Sequence, residues 1–119
     1  MASPTGGYRD LLVWQKAMVL VEQIYEVTTR FPESERYGLT NQLRRAAVSI
    51  PSNIAEGHGR SGKDYGRFIT IARGSLAELE TQLELSVRLN FISREDIRQT
   101  WQLSQEVGKM SAGLLKSLQ

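Results

Sequence analysis

Apolar residues recur at steps of three and four along almost the whole chain. Val13, Ala17, Leu20, Ile24, Val27 and Phe31 form a first stripe, and Trp14, Met18, Val21 and Tyr25 lie beside it. That spacing is the period of an amphipathic helix, and two adjacent stripes make a broad apolar face. Phe31-Pro32 closes the segment, because a proline pushes the residue before it out of the α region. A second helix is predicted after Ser34, burying Leu39, Leu43, Ala46, Ala47, Ile50 and Ile54 and stopping at Gly57 and Gly59. A third starts near Ser61 with Asp64 in its first turn, where a carboxylate suits the helix dipole. It carries Phe68, Ala72, Leu76, Leu79, Leu83 and Val87 to about Asn90. The fourth follows a Ser93 cap with Glu95 and Asp96 beside it. Its stripe is Ile97, Trp101, Ser104, Gly108, Ser111, Leu115 and Leu118, flanked by Leu103, Val107, Met110 and Leu114. No segment alternates with period two, so no strand is expected.

Four amphipathic helices of about 20 to 28 residues with short connections predict an all-α fold, an antiparallel up-down-up-down four-helix bundle. Its long axis should be about 35 to 40 Å. A chain of 119 residues fits one domain. Residues 8–119 are assigned to the bundle, and residues 1–7, small and polar, to a flexible lead-in. Pro51 falls inside the second helical pattern, where it removes one backbone donor and frees the carbonyl of Ala47. A kink at Pro51 is expected, since Ile50 and Ile54 keep helical spacing across it. The hydroxyls of Ser49 and Ser52 stand near enough in sequence to serve the freed groups. The first and fourth helices carry more apolar residues than a bundle core uses, and Ser104, Gly108 and Ser111 permit close backbone approach. Both features point to a second packing surface and a homo-oligomer.

Composition removes several classes of chemistry. There is no cysteine, so disulfides, zinc-thiolate sites and thiol nucleophiles are excluded. The longest apolar run, Ala17 to Val21, is far below the ~20 residues of a spanning helix. No membrane partner is expected, and with no signal-peptide pattern in the first residues the expected location is cytoplasmic. Net charge is +2, unevenly spread. From Arg44 to Arg73 there are six basic residues against two acidic, and elsewhere nine against eleven.

Gly57-His58-Gly59-Arg60-Ser61-Gly62 matches a dinucleotide-binding fingerprint letter for letter. Such a loop must follow a strand, and here a helix precedes it. Extended to Lys63-Asp64, it imitates a phosphate-binding loop with a carboxylate where a hydroxyl should hold magnesium. The simpler reading is that the glycines permit left-handed geometry at a helix end and Ser61 caps the next helix. His58 is the only histidine, and a lone loop histidine reads as polar surface. Glu78, Glu80 and Glu84 lack the Glu-x-x-His partners of a bundle metal site, and read as a solvated helix face with Arg73 and Arg88 as ion-pair candidates. No catalytic residue, cofactor or metal is therefore expected.

The basic residues remain. Arg60, Lys63 and Arg67 follow helical spacing, and Arg44 and Arg45 lie in the preceding helix. Tyr65 and Phe68 stand near them and offer ring faces for bases, with core packing the stronger expectation for Phe68. Such a patch contacts phosphates without reading sequence.

One stretch is distinctive: Ser49-Ile50-Pro51-Ser52-Asn53-Ile54-Ala55-Glu56-Gly57, then Gly59-Arg60. With Tyr65, Phe68, Ile71-Ala72, Gly74-Ser75, Glu78-Leu79-Glu80 and the opening Tyr8-Arg9-Asp10-Leu11-Leu12-Val13-Trp14-Gln15-Lys16-Ala17, it resembles the four-helix bundle proteins encoded in intervening sequences of bacterial 23S ribosomal RNA genes. The resemblance runs from about Tyr8 to Leu118. It implies an antiparallel bundle assembled as a homopentamer around a central channel. A related bundle, the accessory protein of diversity-generating retroelements, binds nucleic acid and reverse transcriptase through a basic pentamer surface. By that analogy Arg44, Arg45, Arg60, Lys63, Arg67 and Arg73 would contact nucleic acid. The expected function is a non-enzymatic, self-assembling accessory factor that binds RNA or acts as a scaffold. The alternative is a protein-interaction module whose basic residues are structural.

Overall fold

Four α-helices carry the chain: α1 (Leu12–Thr28), α2 (Leu39–His58), α3 (Gly62–Arg88) and α4 (Arg98–Ser117). Three short 3-10 turns, Tyr8–Asp10, Glu33–Glu35 and Glu95–Ile97, precede α1, α2 and α4. This computed structural model describes residues 7–119, so the expected lead-in falls, apart from Gly7, outside the described residues. There is no strand among the described residues. The molecule measures 42 × 35 × 24 Å, and the 27 residues of α3 span its long dimension at about 40 Å.

The helix ends depart from the sequence reading in instructive places. α2 begins at Leu39, because residues 33–35 form a 3-10 turn. The Glu35 carboxylate then accepts from the Leu39 N–H at 3.0 Å, serving an otherwise orphan donor. Ser61 holds the cap position of α3 with extended backbone, but its side chain makes no capping bond. The left-handed residue of that connection is Gly62, φ 52°, and not Gly57 or Gly59. Asn90 ends α3 at φ 64°, and the Phe91 N–H reaches the Ser86 carbonyl at 2.9 Å, closing the helix with a Schellman turn. Ser93 Oγ accepts from the Asp96 N–H at 3.1 Å and so serves the Glu95–Ile97 turn, whereas α4 itself begins only at Arg98, with no side-chain cap.

The core is the set of inward stripes. Leu20, Ile24, Leu43, Ile50, Ile54, Ile69, Leu79, Leu83, Ile97 and Val107 are fully buried. α2 packs most extensively against α3, α1 lies against α2 and α4, and α3 against α4. Pro51 is buried inside a continuous α2. The Ser49 hydroxyl does not turn to the freed backbone. It bonds Ser75 Oγ on α3 at 2.7 Å and accepts from the Asn53 amide at 2.9 Å.

The small residues of α4 face inward. Ser104 and Ser111 are buried, Ser104 Oγ donates to Glu80 at 2.9 Å, and a Cβ on Gly108 would meet Leu76 at 3.4 Å. This stripe seats α3 against α4 within one chain, so it offers no second surface. The unspent apolar groups lie elsewhere. Trp14, Met18, Val21, Tyr8, Val48, Pro51 and Ala55 line a groove of about 350 Å³ between α1 and α2.

At the α3 C-terminus, Arg94 binds both oxygens of Glu84 at 3.0 Å and Arg88 adds a third bond at 3.0 Å. These hydrogen bonds, Arg94 first and then Arg88, hold the Glu84 carboxyl down at about 2 against an ordinary 4.5. A depressed carboxyl stabilises the fold above its unfolded value and loses that contribution as pH falls towards the folded one. Wild-type stability should therefore decline between about pH 4.5 and 2. Arg94→Ala should flatten that decline, modestly for so exposed a pair. Urea unfolding at neutral pH and at pH near 3 checks it, and an equal drop in both proteins would refute the assignment.

Candidate nucleic-acid interface

The six basic residues singled out from the sequence do not form one surface. Arg60, Lys63 and Arg67 come together at the α2–α3 connection and are all exposed. Arg44 and Arg45 sit about 22 Å away along α2, and Arg73 lies two turns into α3 beyond Arg67.

Arg44 is a tie between α1 and α2. Its Nε donates to Thr28 Oγ1 at 2.9 Å, and its guanidinium lies 4.6 Å from the centre of the Tyr25 ring. Arg73 ties α3 to α4: Nη1 donates to the Gly108 carbonyl at 2.9 Å and to Ser111 Oγ at 3.2 Å. It therefore does not pair with Glu80, which instead accepts from Ser104 and Gln105. Both arginines are partly buried and make these hydrogen bonds inside the chain. Arg45, on the neighbouring side of α2, is exposed, lines a polar groove with Glu78 and Gln82, and has no hydrogen bond or ion pair among the described residues.

The α2–α3 connection is built around Phe68. Its ring is half-buried, and Ile69, the next residue, takes the buried place expected for it. The guanidiniums of Arg60 and Arg67 stand 5.0 Å and 4.6 Å from the Phe68 centroid, a cation–π arrangement that holds both. Arg60 also bonds Glu56 at 2.9 Å, and this hydrogen bond raises its proton affinity above the ordinary arginine value. Asp64 lies between the two arginines, 3.6 Å from each. Lys63 has no ion pair among the described residues. His58 packs edge-on against Tyr65 with ring centres 5.7 Å apart, a structural contact, and burial raises the Tyr65 hydroxyl above its usual range.

Two further exposed cations lie on elements that pack against α2 and α3 here. The Tyr8–Asp10 turn packs on α2, with Tyr8 sharing a groove with Ala55, and the guanidinium of exposed Arg9 stands 5.0 Å from the Tyr8 ring centre. Leu115 lies 3.6 Å from where a Cβ on Gly66 would stand, which brings in exposed Lys116. Sequence spacing hid both. Their signal lies in the packing of distant segments, Tyr8 beside Ala55 and Leu115 beside Gly66. The sequence reading also missed Asp64 as an internal counter-charge, although its i, i+3 and i, i+4 spacing to Arg67 and Arg60 announces it.

No helix among the described residues is long and apolar enough to cross a membrane. The family model for the 23S rRNA-intervening sequence protein matches residues 9–113. The fold is similar to a protein of unknown function from the S23 ribosomal protein family of Bacteroides thetaiotaomicron. That crystal structure gives a TM-score of 0.78 at 26% identity, covering 88% of this chain and 99% of that one. No curated protein matches the chain at a significant level.

Proposed function

The chain belongs to the 23S rRNA-intervening sequence protein family, and from that premise we propose that it is a non-enzymatic, self-assembling RNA-binding accessory factor. The proposed architecture is an antiparallel up-down-up-down bundle with α2 kinked at Pro51. Its support is the reversed register of cross-helix bonds, Ser49 to Ser75 and Gln42 to Gln82 on α2 and α3, and Glu80 to Gln105 and Arg73 to Gly108 on α3 and α4. The proposed assembly is a homopentamer in the cytoplasm, with the apolar α1–α2 groove as a surface suited to a neighbouring copy. Repetition would turn one modest patch into a ring and multiply its affinity.

The observation that carries the RNA reading is the exposed Arg60–Lys63–Arg67 cluster, with exposed Arg9 and Lys116 on the elements that pack against this region. Glu56 and Asp64 oppose part of this charge, so each subunit contributes about three phosphate contacts. Nuclease-cleared protein should bind structured RNA at low salt, and affinity should fall with a log–log slope of about −2 to −3 for one subunit. Absence of binding at low salt would overturn the reading. A second reading, a protein-interaction module, draws on Arg44 and Arg73, which make hydrogen bonds within the fold. A partner that stays attached through nuclease and high salt would favour it.

A further inference from the structure

The groove between α2 and α3 that contains Arg45 has a chemistry different from the basic end. Two cross-helix hydrogen bonds frame it, Gln82 Nε2 to Gln42 Oε1 at 3.3 Å and Ser49 to Ser75 at 2.7 Å. Seven residues of each helix separate these frames, about 10 Å. Between them, in a cavity of about 390 Å³, stand Arg45 and Glu78. These opposite charges line one groove, yet no ion pair joins them, and neither has another partner among the described residues. At its wall Gln82 is only 9% exposed, and its Oε1 is buried with no donor. That oxygen faces the protein interior, while Nε2 of the same amide donates to Gln42 at the groove wall. Gln42, which accepts that bond, is itself exposed.

We propose that this groove receives an unpaired guanine base. The proposal rests on the RNA reading above and gives it a base-specific contact. A carboxylate facing the groove repels phosphate, so the occupant must present donors to Glu78 and acceptors to Arg45. Guanine alone among the four RNA bases has two adjacent N–H donors, N1–H and N2–H, on one edge. It also has two adjacent acceptors, O6 and N7, on the next, the pair an arginine fork takes bidentately. Glu78 accepts the first pair and Arg45 donates to the second. Adenine offers Glu78 a donor beside an acceptor, cytosine likewise, and uracil a single donor between two carbonyls. Single-stranded bases are the ones free to enter such a pocket.

The test uses the full chain with GMP, IMP and AMP, and with single-stranded RNA oligomers that differ only in one G, inosine or A. GMP and G-containing RNA should bind about tenfold better than the adenine forms, with inosine, which lacks the N2 amino group, in between. Glu78→Gln is the deciding variant. Removing a negative charge strengthens any binding that is only phosphate attraction, whereas it should weaken guanine binding about tenfold. Equal binding of G and A, or a Glu78→Gln variant that binds all RNA better, would overturn the guanine site and leave the RNA reading standing. GMP preference without RNA binding would support the pocket and overturn the RNA reading. No preference in either format refutes the pocket.

Discussion

Gly57→Val should lower the stability of the fold by about 3 kcal/mol, the upper range for overpacking a tight contact. A Cβ on Gly57 would stand 2.7 Å from Phe68 Cβ, 3.2 Å from the Tyr65 carbonyl oxygen and 3.3 Å from Tyr65 Cδ1. Two of these neighbours are backbone or attached directly to it, so no rotation of a flexible end relieves the clash. α2 and α3 must separate. Alanine gains about 1 kcal/mol over glycine in helix propensity, so Gly57→Ala should lose less than valine does while keeping the same sign. Gly74 provides the control, because a Cβ there meets nothing within 4 Å and Gly74→Ala should stabilise by about 1 kcal/mol. Denaturant unfolding followed by far-UV circular dichroism measures all three. A Gly57→Val midpoint equal to wild type would show that the helices do not approach so closely.

That glycine explains the motif that most resembles a nucleotide loop. Gly57 is the close approach, Gly62 the left-handed residue, and Gly59 the cap after α2 with ordinary helical φ. Three glycines therefore serve three local needs of a helix–helix turn. Close approach of Gly57 also seats Tyr65 and Phe68, and through Phe68 it places Arg60 and Arg67. The link between fold and candidate site passes through this contact.

The helices were legible because burial follows a 3.6-residue period, and eighteen of the apolar positions read from that period need no tertiary information beyond it. The four segments and the absence of strands among the described residues follow from local spacing. Three readings missed for physical reasons. Ser104, Gly108 and Ser111 look like an unspent surface in one dimension, but Arg73 reaches across from α3 and uses them. Arg44 and Arg73 read as patch residues because charge is visible in a sequence and a buried acceptor opposite it is not. Leu39 rather than Ser34 opens α2 because Glu35 competes as the cap. Of the candidate site, the triad at the α2–α3 turn was legible from spacing alone. Arg9 and Lys116 needed the packing of distant segments, and the Glu78 and Gln82 groove needed the register of two helices.

Reversing the triad is the second large effect expected. Arg60→Glu, Lys63→Glu and Arg67→Glu together should abolish RNA binding at physiological salt and remove most of the log–log slope of about −2 to −3 from any binding left at low salt. Helix content should be nearly unchanged, since all three side chains are exposed and their ion pairs contribute little individually. Arg73→Ala should do the opposite. Losing a charged hydrogen bond to the Gly108 carbonyl should cost about 2 kcal/mol while leaving the affinity of the folded protein as it was. Asp64→Asn separates local charge from mere crowding. Asp64 holds Arg60 and Arg67 at 3.6 Å, and its removal should free Arg67, leave Arg60 on Glu56, and raise RNA affinity several-fold. It also loses a first-turn carboxylate, which costs about 0.3 to 1 kcal/mol of stability. A quantitative binding titration at two salt concentrations, paired with unfolding curves, reads every one of these variants. If the triple reversal leaves RNA affinity intact, contact lies elsewhere on the chain, and if Asp64→Asn lowers affinity, Asp64 positions the arginines for RNA and does not compete with it.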